Sequence, residues 1–201
     1  KEKWDYDNIL NDDEPEWKNP YYGFPQMVRF AFHPNDSSIR RMREMRDNGI
    51  TFAFSALFKP VSLIKTPDNQ HKRFINEREI LELMEVIDGS RSDENLLGFL
   101  DYNKIKEGKM CRHIVCVLPY RASCDALESL LIKYSNRFRN LSQYTIVNIA
   151  GVDDERTYED TDDVKKKIKS CEENGEKTIT LTVNRMLTGS TVREWDTMLY
   201  F

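Results

Sequence analysis

The sequence lacks any glycine pattern that could cradle a phosphate. None of its eight glycines stands in G-x-x-x-x-G-K-[ST], and no G-x-G occurs. Both a self-sufficient P-loop ATPase and an ordinary dinucleotide-binding domain are excluded, because each needs glycine-freed backbone amides close to phosphate oxygens. The four cysteines, Cys111, Cys116, Cys124 and Cys171, form no C-x-x-C pair, and His33, His71 and His113 do not join them at ligand spacing. That pattern disfavours a structural zinc site and suits core thiols in a reducing compartment. No apolar run approaches the eighteen or so residues of a membrane span, and Lys1-Glu2-Lys3-Trp4-Asp5 is not a signal peptide. A cytoplasmic protein without membrane contact is expected. Positive charge is also short, with 30 Lys and Arg against 34 Asp and Glu for a net charge of -4. Coating nucleic acid by bulk electrostatics is thereby disfavoured, whereas a local groove needs only a few well-placed cations.

What is present can fold. An apolar fraction of 39% with 11% aromatics supports a real core, and 201 residues suit one domain with a sizeable insertion. Residues 1–24 form an acidic connector rich in Asn, Asp and Pro. A strand is expected at 27–32, followed by a basic helix over about 38–47 carrying Arg40, Arg41, Arg43 and Arg46 and ended by Asn48-Gly49. Residues 50–108 are taken as an insertion packed beside the main sheet. Within it, 51–58 suits either a strand or a packed aromatic loop, and 76–87 has Ile80, Leu81, Leu83, Met84 and Ile87 at helical spacing. A short apolar run follows at 96–100.

From residue 110 the pattern is regular: strand 112–118, helix 123–134, strand 144–149, helix 162–173, strand 178–183, a turn, then strand 195–201. This order predicts an α/β fold with a mainly parallel, doubly wound sheet over 25–201. Asp153-Asp154-Glu155 resembles a magnesium box, but Ala150-Gly151-Val152 separate it from the strand tip, so a solvated loop is the expectation. No carboxylate-lysine constellation suggests a nuclease.

Two turns carry the functional signal. The chain T-V-N-R-M-L-T-G-S-T-V-R-E-W-D at 182–196 follows an apolar strand and resembles the fifth motif of superfamily-two helicases, roughly L-T-G-x-D-x-P-x-W/V. The likeness is strongest to translocating subunits of type I and type III restriction systems. Strand, polar turn and helix from His113 to Leu131 resemble the fourth motif of the same family. The resemblance implies a partial second RecA-like lobe excised from a larger motor. Tyr120, Arg121, Ser123, Thr182, Asn184 and Arg185 become candidates for contact with the nucleic-acid backbone, and Thr188, Gly189 and Thr191 for coupling to nucleotide. The family's acid and proline are replaced here by Thr191 and Arg193. It further implies ATP and Mg, used only in the complete two-lobe enzyme, and as partners DNA, the first RecA-like lobe and methylase or nuclease subunits. On the residues alone, 119–123 reads first as an ordinary strand-to-helix turn capped by Ser123, and Trp195 as a packing residue; the resemblance is what raises the turn to a backbone-contact site. The rival reading is a non-catalytic α/β domain that docks a nuclease or methylase through the 50–108 insertion.

Overall fold

The runs at 113–118 and 177–183 are apolar or β-branched almost throughout, the composition of strands buried on both faces. In the computed structural model, which describes residues 53–89, 111–153, 158, 161–184 and 192–201 with Arg40, Arg43 and Asp47, they are the central strands of one sheet. The strands are β1 (His113–Leu118), β2 (Tyr144–Asn148), β3 (Lys177–Val183) and β4 (Thr197–Tyr200). Their order is β2-β3-β1-β4, and every neighbouring pair is parallel. Ile114 lies opposite Ile179 and Cys116 opposite Leu181.

Among the described residues, the accompanying α-helices are α1 (Phe54–Leu57), α2 (Glu77–Asp88), α3 (Arg121–Lys133) and α4 (Thr161–Glu173). The chain crosses from β1 over β3 to β2, then turns back to β3 and on to β4. Parallel crossovers keep one hand, so reversing direction puts the connecting segments on opposite faces. The packing agrees. Leu127 and Leu130 of α3 join Ile114, Cys116, Ile179 and Leu181 in one cluster, while Val164 and Ile168 of α4 pack with Val192 and Trp195 in another. The doubly wound parallel α/β fold expected from the sequence is present.

The inserted segment belongs to the first cluster. Phe58, Phe74, Ile80 and Met84 are buried among the residues of β1 and α3. Of the aromatic stretch 51–58, the described residues form the single helical turn of α1, and Phe58 closes it against Phe74 and Phe201. Helix α2 forms where the apolar spacing predicts and ends at Gly89, whose φ of 74° is readily reached without a side chain. The Asp88 carboxylate accepts the backbone amides of Arg139, Asn140 and Leu141 at 2.6–2.9 Å, which ties α2 to the chain entering β2. Three lysines of α4 pair within their own helix, Lys165 with Asp162, Lys166 with Asp163 and Lys169 with Glu173.

The chain divides into two units, Lys1–Arg43 and Glu44–Phe201, and the elements above lie in the second. Arg40, Arg43 and Asp47 are helical with exposed side chains. The expected connector at 1–24, the strand at 27–32 and the run at 96–100 fall outside the described residues. No helix among those described is long and apolar enough to cross a membrane.

Candidate functional site

Where two neighbouring parallel strands send their connections to opposite faces, a crevice opens at their carboxyl ends. Strands β1 and β3 are such a pair. The first leaves toward α3, and the chain after the second reaches Val192 and Trp195 on the α4 face. An open groove of about 860 Å³ lies there. Pro119, Tyr120 and Arg121 come from the β1 exit and Asn184 from the β3 exit; Tyr200 follows on β4, and Leu63, Ile64 and Lys65 come from the inserted segment. The described lining includes no acidic side chain, and its two cations are Lys65 and Arg121.

The wall formed by 148–153 is built by side chains rather than by regular structure. Arg121 donates from Nε to the Ala150 carbonyl at 2.9 Å and from Nη2 to the Gly151 carbonyl at 2.8 Å. A guanidinium has five N–H donors, so this fixes its plane and leaves others for a ligand. Asn148 Oδ1 accepts the Gly151 amide at 3.0 Å, and its Nδ2 donates to Asp125 Oδ1 and Glu128 Oε2, both at 2.9 Å. Asp125 Oδ2 in turn accepts the Val152 amide at 2.6 Å.

Asp153 is the one described member of the acidic run at 153–155. Its carboxylate pairs with Lys72 and, at 3.1 Å, with Lys65. The Lys72 bond, joined by that from Lys65, holds its pKa below the usual carboxylate range. A carboxylate facing two ammonium groups does not suit a divalent cation, and among the described residues no trio of His, Cys, Asp or Glu could hold one. Close by, Nδ1 of buried His71 accepts the Thr66 amide at 3.3 Å, and its Nε2 lies 4.0 Å from Asp153 Oδ2. A smaller cavity of about 220 Å³ lies between the inserted segment and α3, but two of its cations are paired, Lys133 with Glu77 and Lys72 with Asp153.

Of the residues singled out from sequence, Tyr120, Arg121 and Asn184 meet in the groove. Tyr120 is the residue before α3, extended at φ -131° and ψ 149°, with no side-chain cap. Helix α3 therefore starts two residues before Ser123, which lies inside the first turn instead of capping it. The Ser123 side chain is wholly buried and donates to the Phe58 carbonyl at 2.7 Å. Thr182 is likewise fully buried, its hydroxyl 3.4 Å from the Val183 carbonyl. Neither side chain lines the groove, because alternation along β3 and the early start of α3 turn them inward. Arg185, Thr188, Gly189 and Thr191 lie outside the described residues. Trp195 is half-buried, its indole N–H donating to Thr180 Oγ1 at 3.2 Å.

Asn148, Asp125 and the wall at 63–65 had no signal in the sequence reading. The one available hint was Asn148 at a strand tip with Ala150-Gly151 two and three residues on, a spacing that suits a side chain folding back onto nearby amides.

No protein-family model matches the chain, and no solved structure does. It is similar to part of a Mycoplasma pneumoniae protein described as the C-terminus of a candidate type II restriction enzyme and methyltransferase, 26% identical over 152 residues. The match covers 74% of this chain and spans only 20% of that relative's length.

Proposed function

We propose that the chain is part of an ATP-dependent nucleic-acid translocase of a restriction system, contributing the second of two RecA-like lobes. One observation carries this reading: Tyr120 and Arg121 of one turn and Asn184 of the other, named from their likeness to two helicase motifs, stand together at the carboxyl ends of adjacent parallel strands. A groove with cations and no described acidic side chain suits a polyanion. The similarity to a restriction-type protein supports the same system.

In this reading Arg121 and Asn184 take backbone oxygens of one DNA strand. The amides that open α3 face the same anion, since the unbonded N–H groups of a helix start favour negative charge. The segment 185–191, with Thr188, Gly189 and Thr191, couples this grip to the nucleotide. ATP and magnesium belong to the complete two-lobe enzyme, where the triphosphate supplies the driving free energy and the first lobe its main binding groups. Methylase or nuclease functions sit elsewhere in the same assembly.

A second reading, an interaction domain for such a partner, is favoured by exposed apolar side chains on the inserted segment, Ile64 at 72% and Ile75 at 58%. Fluorescence anisotropy with a labelled single-stranded oligonucleotide separates the two. The motor lobe binds weakly, with affinity falling steeply as salt rises, and turns over no ATP by itself. Failure to bind any oligonucleotide at low salt removes the motor reading and leaves the interaction domain.

A further inference from the structure

We propose that the groove grips single-stranded nucleic acid through its bases as well as its backbone, with Ile64 and Tyr200 as base-contacting side chains. This rests on the nucleic-acid reading above and adds to it a contact that backbone recognition does not need.

The groove is divided in chemistry. Its cations are Arg121 and Lys65, the second paired with Asp153 just outside the lining, and the described lining itself holds no acid. Most of the remaining surface is apolar or aromatic. Ile64 is 72% exposed, Tyr200 63% and Leu63 47%, while Tyr120 is half-buried. A phosphodiester gains nothing against such surfaces. A nucleobase does, since every base has a flat π-face that stacks on an aromatic or apolar side chain whatever its identity. A polyanion with flat neutral faces is therefore the ligand that satisfies both halves of the groove.

The supports of the two contacts are stiff. Tyr200 sits on β4, in register with Val117 of β1. The next residue, Phe201, packs on Phe58 in a tilted pair with ring centroids 4.7 Å apart. Ile64 is held on a short turn where the Ser62 hydroxyl donates to the Ile64 carbonyl at 2.8 Å, and neighbouring Lys65 is anchored to Asp153. A preformed wall loses little conformational entropy when a base arrives.

The test uses the whole chain and two labelled probes of equal length, oligothymidylate and an abasic oligomer with the same phosphate count, compared at one low salt concentration. The abasic probe is expected to bind about tenfold more weakly, the order of one stacked base. Y200A and Ile64→Ser should each lower oligothymidylate affinity and narrow the difference between probes. Both side chains are exposed, so their loss should leave the thermal transition unchanged. Equal affinity for the two probes overturns base contact while leaving backbone binding intact. Binding of neither probe overturns the nucleic-acid reading itself and assigns the groove to a protein partner.

Discussion

A β-carbon on Gly151 would lie 1.9 Å from Asp125 Oδ1 and 2.9 Å from Asn148 Nδ2. No side chain fits there unless the carboxylate that holds the Val152 amide moves away. Gly151→Ala should therefore destabilise the protein by about 1–3 kcal/mol, the range for forcing an atom into a packed site. For a protein of this size that is a fall of a few degrees in Tm, about 2–4 °C per kcal/mol. Because both residues act on one loop, Gly151→Ala and Asp125→Ala should be non-additive in a double-mutant cycle; simple additivity would show that the close approach has no energetic weight.

Ser123 tests whether a conspicuous turn residue serves the ligand or the core. Its hydroxyl is buried and donates to the Phe58 carbonyl, joining the inserted segment to α3. Ser123→Ala leaves that carbonyl without its donor and should cost about 1–3 kcal/mol in denaturant unfolding. Oligonucleotide affinity, measured on the folded fraction, should not change. A loss of affinity without loss of stability would return Ser123 to the binding surface.

These two residues mark the limit of the sequence. The parallel sheet was legible because three strands carry continuous apolar or β-branched runs and the helix before the last of them ends in Asn174-Gly175. Helix α2 was legible from its spacing alone. Which turn residues face the groove was not. Ser123 looks like an N-cap until α3 is seen to start at Arg121, and Thr182 looks accessible until the alternation of β3 turns it inward. The wall at Leu63, Ile64 and Lys65 comes from a segment without periodicity, placed by tertiary contacts such as that of Lys65 with Asp153. Long-range pairing of this kind leaves no local pattern.

The acid limb of stability should depend on Asp153 and Glu172. Lys72 lowers the pKa of the first, and the His113 hydrogen bond, followed by that of Arg112, lowers that of the second. A carboxylate whose folded pKa lies below its unfolded value stabilises the fold above the unfolded value, about 4, and loses that contribution as pH falls through the folded one. Wild-type stability should therefore decline below about pH 4, and Asp153→Asn should flatten part of that decline. Both carboxylates are partly exposed, so solvent screening keeps the effect small. Chemical denaturation at a series of pH values checks it; an unchanged acid limb in the variant would remove Asp153 from the account.

All four cysteines are free and buried, and burial raises the Cys116 thiol to about 12. Thiolate is the reactive form, so at neutral pH the native protein should react slowly with a disulfide reagent, and fully once unfolded. A raised folded pKa stabilises the fold below the unfolded value, about 8.5, and that contribution is lost as pH rises toward the folded one. An alkaline loss of stability that Cys116→Ala diminishes is the expected result. Rapid labelling of one thiol in the native state would instead identify an opening of the core.

Arg121 decides the electrostatic part of the proposed function, and it has two separable jobs. Its Nε and Nη2 hold the carbonyls of Ala150 and Gly151, while its charge stands at the edge of the groove. Removing the charge with Arg121→Ala should weaken oligonucleotide binding to a similar degree on every sequence and reduce the slope of log affinity against log salt by about one. Arg121→Lys keeps the charge but cannot reproduce the fork that grips two carbonyls. It should retain the salt slope while losing stability through the loosened 150–151 wall. Asn184→Ala removes a neutral donor and should weaken binding without altering the slope. If Arg121→Lys and Arg121→Ala lose the same slope, the residue shapes the wall and does not contact phosphate. The cation would then have to come from Lys65 or from the segment after Asn184.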